Sequence, residues 1–138
     1  MKINKSSNTR QDKLPRPTDA ELAVLEVLKD LGSATVRQIL LRYNETQPNS
    51  AGYTTILKIV QIMTEKGLVD KDASQRPQVY KPRFSWTKTQ RLLLEDLMRK
   101  AFSGSAKQLI LQALATKRAS DKELTEIEKL LDKLEGEK

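Results

Sequence analysis

Apolar residues recur along this chain with the period of amphipathic helices, broken once by a short alternating stretch. Val24, Val27, Leu28 and Leu31 follow the i, i+3, i+4, i+7 spacing that gives a helix one buried stripe. Thr18 supplies an N-cap and Glu21, three residues on, completes a capping box, so the helix starts at Thr18 or Asp19; Gly32 supplies its stop. Val36, Ile39 and Leu40 mark the inward face of a second helix, from about Val36 to Tyr43, capped by Thr35. A polar connection from Asn44 to Ser50 leads to a third helix with the stripe Ile56, Ile59, Val60 and Met63, ended by Gly67. The other face of that helix is polar: Thr54, Lys58, Gln61 and Glu65 fall at i, i+4, i+7, i+11. Leu68–Lys71 and Gln78–Lys81 carry β-type alternation on either side of an Asp72–Pro77 turn, which predicts a hairpin.

Beyond the hairpin the pattern turns helical again and becomes rich in leucine. Residues 87–101 place Leu94, Leu97, Met98 and Ala101 on one stripe, widened by Leu92 and Leu93. A Phe102–Ser103–Gly104–Ser105 break follows, then a helix carrying Leu109, Ile110, Ala113 and Leu114. The last helix opens with a Ser120–Glu123 capping box and bears Leu124, Ile127, Leu131 and Leu134, two turns of a heptad-like seam. Three short helices with this much leucine cannot readily bury every face on one another, so the economical solution is a second copy of the chain. Leu94, Leu97, Leu124, Ile127, Leu131 and Leu134 are therefore the candidate dimerisation residues.

Three helices followed by a basic hairpin read as a winged helix-turn-helix. The expected fold is mainly α with a small β-hairpin wing, an N-terminal winged helix-turn-helix plus a C-terminal helical dimerisation region. The expected organisation is a disordered basic arm over residues 1–17, a winged-helix DNA-binding domain over 18–84 and the helical dimerisation region over 85–138. The polar face of the third helix offers hydroxyl, cationic and amide groups that can meet phosphates and base edges. Lys71, Arg76, Lys81 and Arg83 give the hairpin a cationic tip and flank suited to phosphate.

Charge sharpens this picture. The 138 residues carry a net +7, but unevenly: +10 over residues 1–118 (21 Lys/Arg against 11 Asp/Glu) and −3 over residues 119–138 (four against seven). A basic front with a mildly acidic end suits a nucleic-acid-binding head and a separate interaction tail. Five Lys/Arg lie in residues 1–17, among them Lys13 and Arg16, available to flanking phosphates. With no cysteine and no histidine, the usual nucleophile, general base and soft metal ligands are missing, and the five glycines form no phosphate-cradling loop. Neither an enzyme nor a cofactor or metal site is expected. No apolar run reaches the ~18 residues of a membrane span and no signal-peptide core is present, so a cytoplasmic protein without stable membrane association is expected.

Six local strings then fall in order: T-D-A-E-L-A-V-L-E-V-L from Thr18, A-T-V-R-Q-I from Ala34, Y-T-T-I-L from Tyr53, E-K-G-L-V from Glu65, V-Y-K-P from Val79 and F-S-G-S from Phe102. Over about residues 17–135 the chain resembles the penicillinase repressor family of bacterial transcription regulators. The resemblance implies a dimeric repressor whose winged helix binds a dyad operator. It places DNA reading on Tyr53, Thr54, Thr55, Lys58 and Gln61, with Arg76 at the wing; Lys71 joins this DNA-binding set from the hairpin's own charge. It also implies release by a membrane zinc-peptidase sensor, whose signal leads to cleavage between Ala101 and Phe102. The chain departs from the family pattern at several positions: Lys29 stands where an aromatic is frequent, Ile62 where a basic residue is common, and Gln75 where a wing glycine is usual. Ala101 stands where the cleaved members have Asn, and the cysteine cluster of the copper-responsive members is missing, which excludes thiolate copper sensing.

The expected function is a homodimeric, sequence-specific repressor, with double-stranded DNA, a second copy and a sensor peptidase as partners. The rival reading is a winged helix that docks protein and carries its basic wing for solubility. An RNA-binding winged helix is disfavoured, because one Trp, three Tyr and two Phe offer little surface for stacking bases.

Overall fold

Local hydrogen bonds set the helix starts where the sequence predicts them. In this computed structural model, residues 15–116 and 119–136 are described. The basic arm falls outside them up to residue 14, and Lys13 with it. Helix α1 spans Asp19–Leu31, and its capping box is formed in both directions: the Glu21 N–H donates to Thr18 Oγ1 at 3.2 Å and the Thr18 N–H to Glu21 Oε1 at 2.9 Å. Helix α2 spans Val36–Thr46 and opens the same way on Thr35, with Gln38 as the reciprocal partner. Helix α3 is Tyr53–Lys66, strands β1 and β2 are Val69–Asp72 and Val79–Pro82, and helices α4, α5 and α6 are Trp86–Ala101, Ala106–Thr116 and Asp121–Gly136. The architecture is thus mainly α with one antiparallel hairpin, and the N-terminal part is a winged helix-turn-helix.

The core forms where α1, α2, α3 and the hairpin meet. Val24, Leu28, Ile39, Ile56, Val60, Met63, Leu68 and Val69 are fully buried there, with Phe84, Trp86 and Leu92 packed against them. Helix α1 is the central element, contacting α2, α3 and β2, so it buries a wider arc than one stripe: Ala23 and Leu25 are buried as well. Leu31, expected inward, is instead 42% exposed, because the helix ends there and Gly32 (φ 82°) turns the chain away. Ile59 is half-buried at the edge of the core rather than sealed in it.

Both strands begin one residue later than the alternation suggests, and the end of α3 explains the first shift. Gly67 is left-handed (φ 84°), its N–H donates to Thr64 O, and the Leu68 N–H donates to Met63 O at 2.9 Å. This is a Schellman closure, and it takes Leu68 into the helix cap before the strand can begin. β1 and β2 pair with Lys71 opposite Tyr80 and Asp70 opposite Lys81. An isolated single-residue bridge adds to the hairpin: Ala34 and Tyr80 exchange both backbone hydrogen bonds, at 3.0 and 2.8 Å, which ties the α1–α2 connection to the wing. The wing turn has no glycine. The Asp72 carboxylate organises it instead, accepting from the Ser74 N–H and hydroxyl and from Gln75 Nε2, and these bonds, the Ser74 hydroxyl first, hold its pKa below the usual carboxylate value. The Arg76–Pro77 peptide bond is cis.

The chain divides into two compact units, Met1–Leu94 and Glu95–Lys138, the division falling within α4. In the second unit neither α5 nor α6 buries a single residue, although α6 opens on the expected Ser120–Glu123 capping box. Leu97 (47%), Ile110, Leu111, Leu114, Leu124, Leu130, Leu131 (51%) and Leu134 remain exposed, and Ile127 is half-buried. Leu94, the last residue of the first unit, is 45% exposed.

Candidate nucleic-acid interface

The face of α3 opposite its buried stripe is open to solvent. Tyr53, Thr54, Thr55, Lys58 and Gln61 are all exposed, while Ile56, Val60 and Met63 on the other side are inaccessible. Ile62 also reaches solvent (39% exposed), adding an apolar side chain to this face. The orientation of α3 is set by the turn before it. Asn44 clamps that turn by donating from Nδ2 to Ala51 O at 3.0 Å and accepting the Ala51 N–H at 2.7 Å. Helix α3 starts on Gly52 without a side-chain cap, and neither α2 nor α3 has an acidic residue in its first turn. The start of α3 is therefore open to an anion, since its first N–H groups and the dipole favour negative charge, whereas at α2 the Gln38 N–H is already taken by Thr35 Oγ1.

A cleft of about 770 Å³ runs between the start of α2, the start of α3 and the wing. Arg37 and Gln38 stand on one bank, Arg76, Pro77 and Gln78 on the other, and Tyr53, Leu57 and Tyr80 line it. The Arg37 guanidinium lies 5.5 Å from the centre of the Tyr53 ring, which braces both side chains. Burial, and then the neighbouring Tyr53, push the Tyr80 hydroxyl above its usual pKa. Among the described residues, Arg37, Lys58, Lys71 and Arg76 form no ion pair, so their charges are available to a ligand.

The wing is less cationic than the sequence suggests. Arg83 grips Asp70 by donating from both Nε, at 3.0 Å, and Nη2, at 2.6 Å, to the single oxygen Oδ1, a charge-assisted contact that removes it from the free positive flank. Arg16, from the arm, is exposed, and its carbonyl accepts from the Lys66 ammonium. Arg37 was absent from the sequence-based set, although its place two residues after the Thr35 cap puts it in the first turn of α2. The other candidates lie in the second half of the chain. Ala101 is the last residue of α4 and Phe102 is half-buried just after it. The Phe102 N–H donates to Met98 O at 2.9 Å, and Ser103 and Gly104 both take positive φ, 50° and 78°. Among the described residues no cluster of His, Cys, Asp or Glu could hold a metal ion, and no helix is long and apolar enough to cross a membrane.

A sequence profile of a family described as the penicillinase repressor matches residues 17–133. No curated protein matches the chain significantly. Seven solved chains match; one is a MarR family transcriptional regulator from Silicibacter pomeroyi DSS, 20% identical, with 99% of this chain and 80% of that one covered and a TM-score of 0.43.

Proposed function

The chain belongs to the penicillinase repressor family and is a DNA-binding transcription regulator; on that premise we propose that it represses by occupying a dyad operator as a homodimer, one head in each half-site. The observation that carries this reading is the exposed polar face of α3 beside a cleft edged by two guanidinium groups without ion-pair partners among the described residues. In this reading α3 enters the major groove, where Thr54, Thr55 and Gln61 meet base edges and Tyr53 and Lys58 flank them. Arg37 and Arg76 hold phosphates on the two banks of the cleft and Lys71 holds one on the wing, and the arm residues Lys13 and Arg16 add phosphate contacts. One short helix reads only a few base pairs, and each good bidentate contact discriminates by roughly 1–3 kcal/mol. Two linked heads therefore separate one operator from ~10⁶ competing sites far better than one. The leucines left in water by a single chain, Leu94, Leu97, Leu124, Leu131 and Leu134, with half-buried Ile127, support pairing through the C-terminal helices.

The test is a salt titration of binding to an operator selected from random duplexes. Wild-type affinity should fall steeply with ionic strength, and Lys58→Ala and Arg76→Ala should each lower the slope by about one. Arg76→Ala should weaken random and selected DNA alike. Binding indifferent to salt, or unchanged in both variants, would remove this face from the reading and favour a protein-docking role for α3.

Release follows in the same reading from cutting the Ala101–Phe102 bond, which separates the heads from α5 and α6. What supports it is the break that Phe102 opens, with two consecutive residues in positive φ. The bond itself sits in the last turn of α4, so cutting requires that turn to open first. Mass spectrometry of the repressor after induction beside a membrane metallopeptidase sensor should find the chain cut after Ala101. An intact chain on a derepressed promoter would show another route of release.

A further inference from the structure

A second pocket, of about 370 Å³, lies within the first unit, away from the polar face of α3 and enclosed by α1, the end of β2 and the first turn of α4. Its floor is apolar: Leu28 is fully buried and Leu25 is 4% exposed. Phe84 and Trp86 supply aromatic walls, and Lys29, Lys81 and Arg83 surround the mouth. Among the described residues no carboxylate lines it. Two ammonium groups here rest on rings: Lys29 Nζ lies 5.0 Å from the Trp86 ring centre and Lys88 Nζ 4.7 Å from that of Phe84. Lys29 has one loose carboxylate neighbour, Asp30 at 3.6 Å, whose other oxygen lies 3.5 Å from Arg42. Arg83 is already satisfied by Asp70, so the charge left for a ligand rests chiefly on Lys29 and Lys81.

We propose that this pocket binds a planar, apolar-bodied monoanion of the aromatic carboxylate class. The volume is in the range of small-molecule sites, and such sites combine apolar walls with a few placed polar groups. A flat ring seated over Leu25 and Leu28 stacks against Trp86 and Phe84. Its carboxylate then reaches the Lys29 ammonium, which exchanges a cation–π contact and a loose ion pair for a closer, hydrogen-bonded one. The positive mouth repels a cation, and a nucleic acid backbone would leave the apolar floor unused. The proposal stands apart from operator binding, because neither the pocket nor its test involves DNA.

Trp86 is the only tryptophan of the chain, so a ¹H–¹⁵N correlation spectrum of the full-length protein carries a single indole N–H signal, placed at the pocket wall. Titration with 1-naphthoate should move that signal saturably, and neutral 1-naphthamide should bind about fivefold more weakly, the worth of one partly exposed ion pair. Lys29→Met should erase the difference between the two probes. Lys107→Met, which removes an equal charge from α5, should leave it intact. If Lys29→Met disturbs the amide spectrum beyond the pocket, Lys81→Met is the substitute and should narrow the same difference. The proposal is overturned by an unmoved indole signal at the solubility limit of 1-naphthoate, by equal affinities for the two probes, or by Lys107→Met weakening naphthoate as much as Lys29→Met does.

Discussion

Lys66, the last residue of α3, anchors that helix to the start of α1. Its ammonium lies 2.6 Å from Glu21 Oε1 and donates to Arg16 O at 3.1 Å. Glu21 thus serves twice, as the reciprocal partner in the α1 capping box and as the counter-ion of Lys66, and it is buried while doing so. Burial works to raise its pKa, but the Lys66 ammonium and the Thr18 donors outweigh that and hold it below the usual 4.5. A depressed carboxylate adds stability that is fully present above its unfolded pKa and is lost as pH falls through the folded value. Lys66→Met leaves Glu21 buried without its cation. We expect it to cost about 1–3 kcal/mol in denaturant unfolding at neutral pH. The pKa of Glu21 should also rise, so acid destabilisation begins at a higher pH than in wild type. Equal urea midpoints for the two proteins across the pH range would show that the pair contributes nothing.

The α3–β1 junction depends on a backbone that favours glycine. Gly67 has φ 84°, and a Cβ there would stand 2.9 Å from Arg83 Nη1, the guanidinium that grips Asp70 across the hairpin. Gly67→Ala therefore strains the backbone and displaces the Arg83 side chain together. The expected loss is about 1–2 kcal/mol, read as a lower urea midpoint with an unchanged m-value. Gly32→Ala, at positive φ but with ψ −62° outside the left-handed α region and nothing within 4 Å of the added Cβ, should carry a backbone cost of its own without steric contact.

At the scale of the whole molecule, the second unit carries exposed leucines. A chain that buries nothing along α5 and α6 has no core of its own there, and apolar area left in water is the drive to associate. Leu131→Asp puts a charge in the middle of the α6 seam, where a paired interface would have to desolvate it. Sedimentation velocity should then find monomers. Operator affinity should drop by about 10²-fold or more as the advantage of two linked heads disappears, while the far-ultraviolet spectrum of the heads is retained. A Leu131→Asp protein that still sediments as a dimer would move the interface elsewhere.

Much of this molecule was legible along the chain because the deciding interactions are short in sequence. The Thr18–Glu21 and Ser120–Glu123 boxes are i, i+3 hydrogen bonds, and the stripe of α3 follows from helical period alone. The polar set Tyr53, Thr54, Thr55, Lys58 and Gln61 could be grouped for the same reason: residues on one helix keep their relative directions wherever the helix is placed. The rest depends on partners far apart in sequence. The bridge between Ala34 and Tyr80 is one residue long and has no periodicity to reveal it. Arg37, Tyr53 and Arg76 meet at one cleft only because α2, α3 and the wing pack around α1. Arg83 read as a free cation until the hairpin register brought Asp70 to it, and Lys29 read as a missing aromatic until folding set its ammonium over Trp86. Local periodicity sets which face of an element is apolar, but which distant residues meet is settled by how those faces share a core, since side-chain contacts act only over a few ångströms.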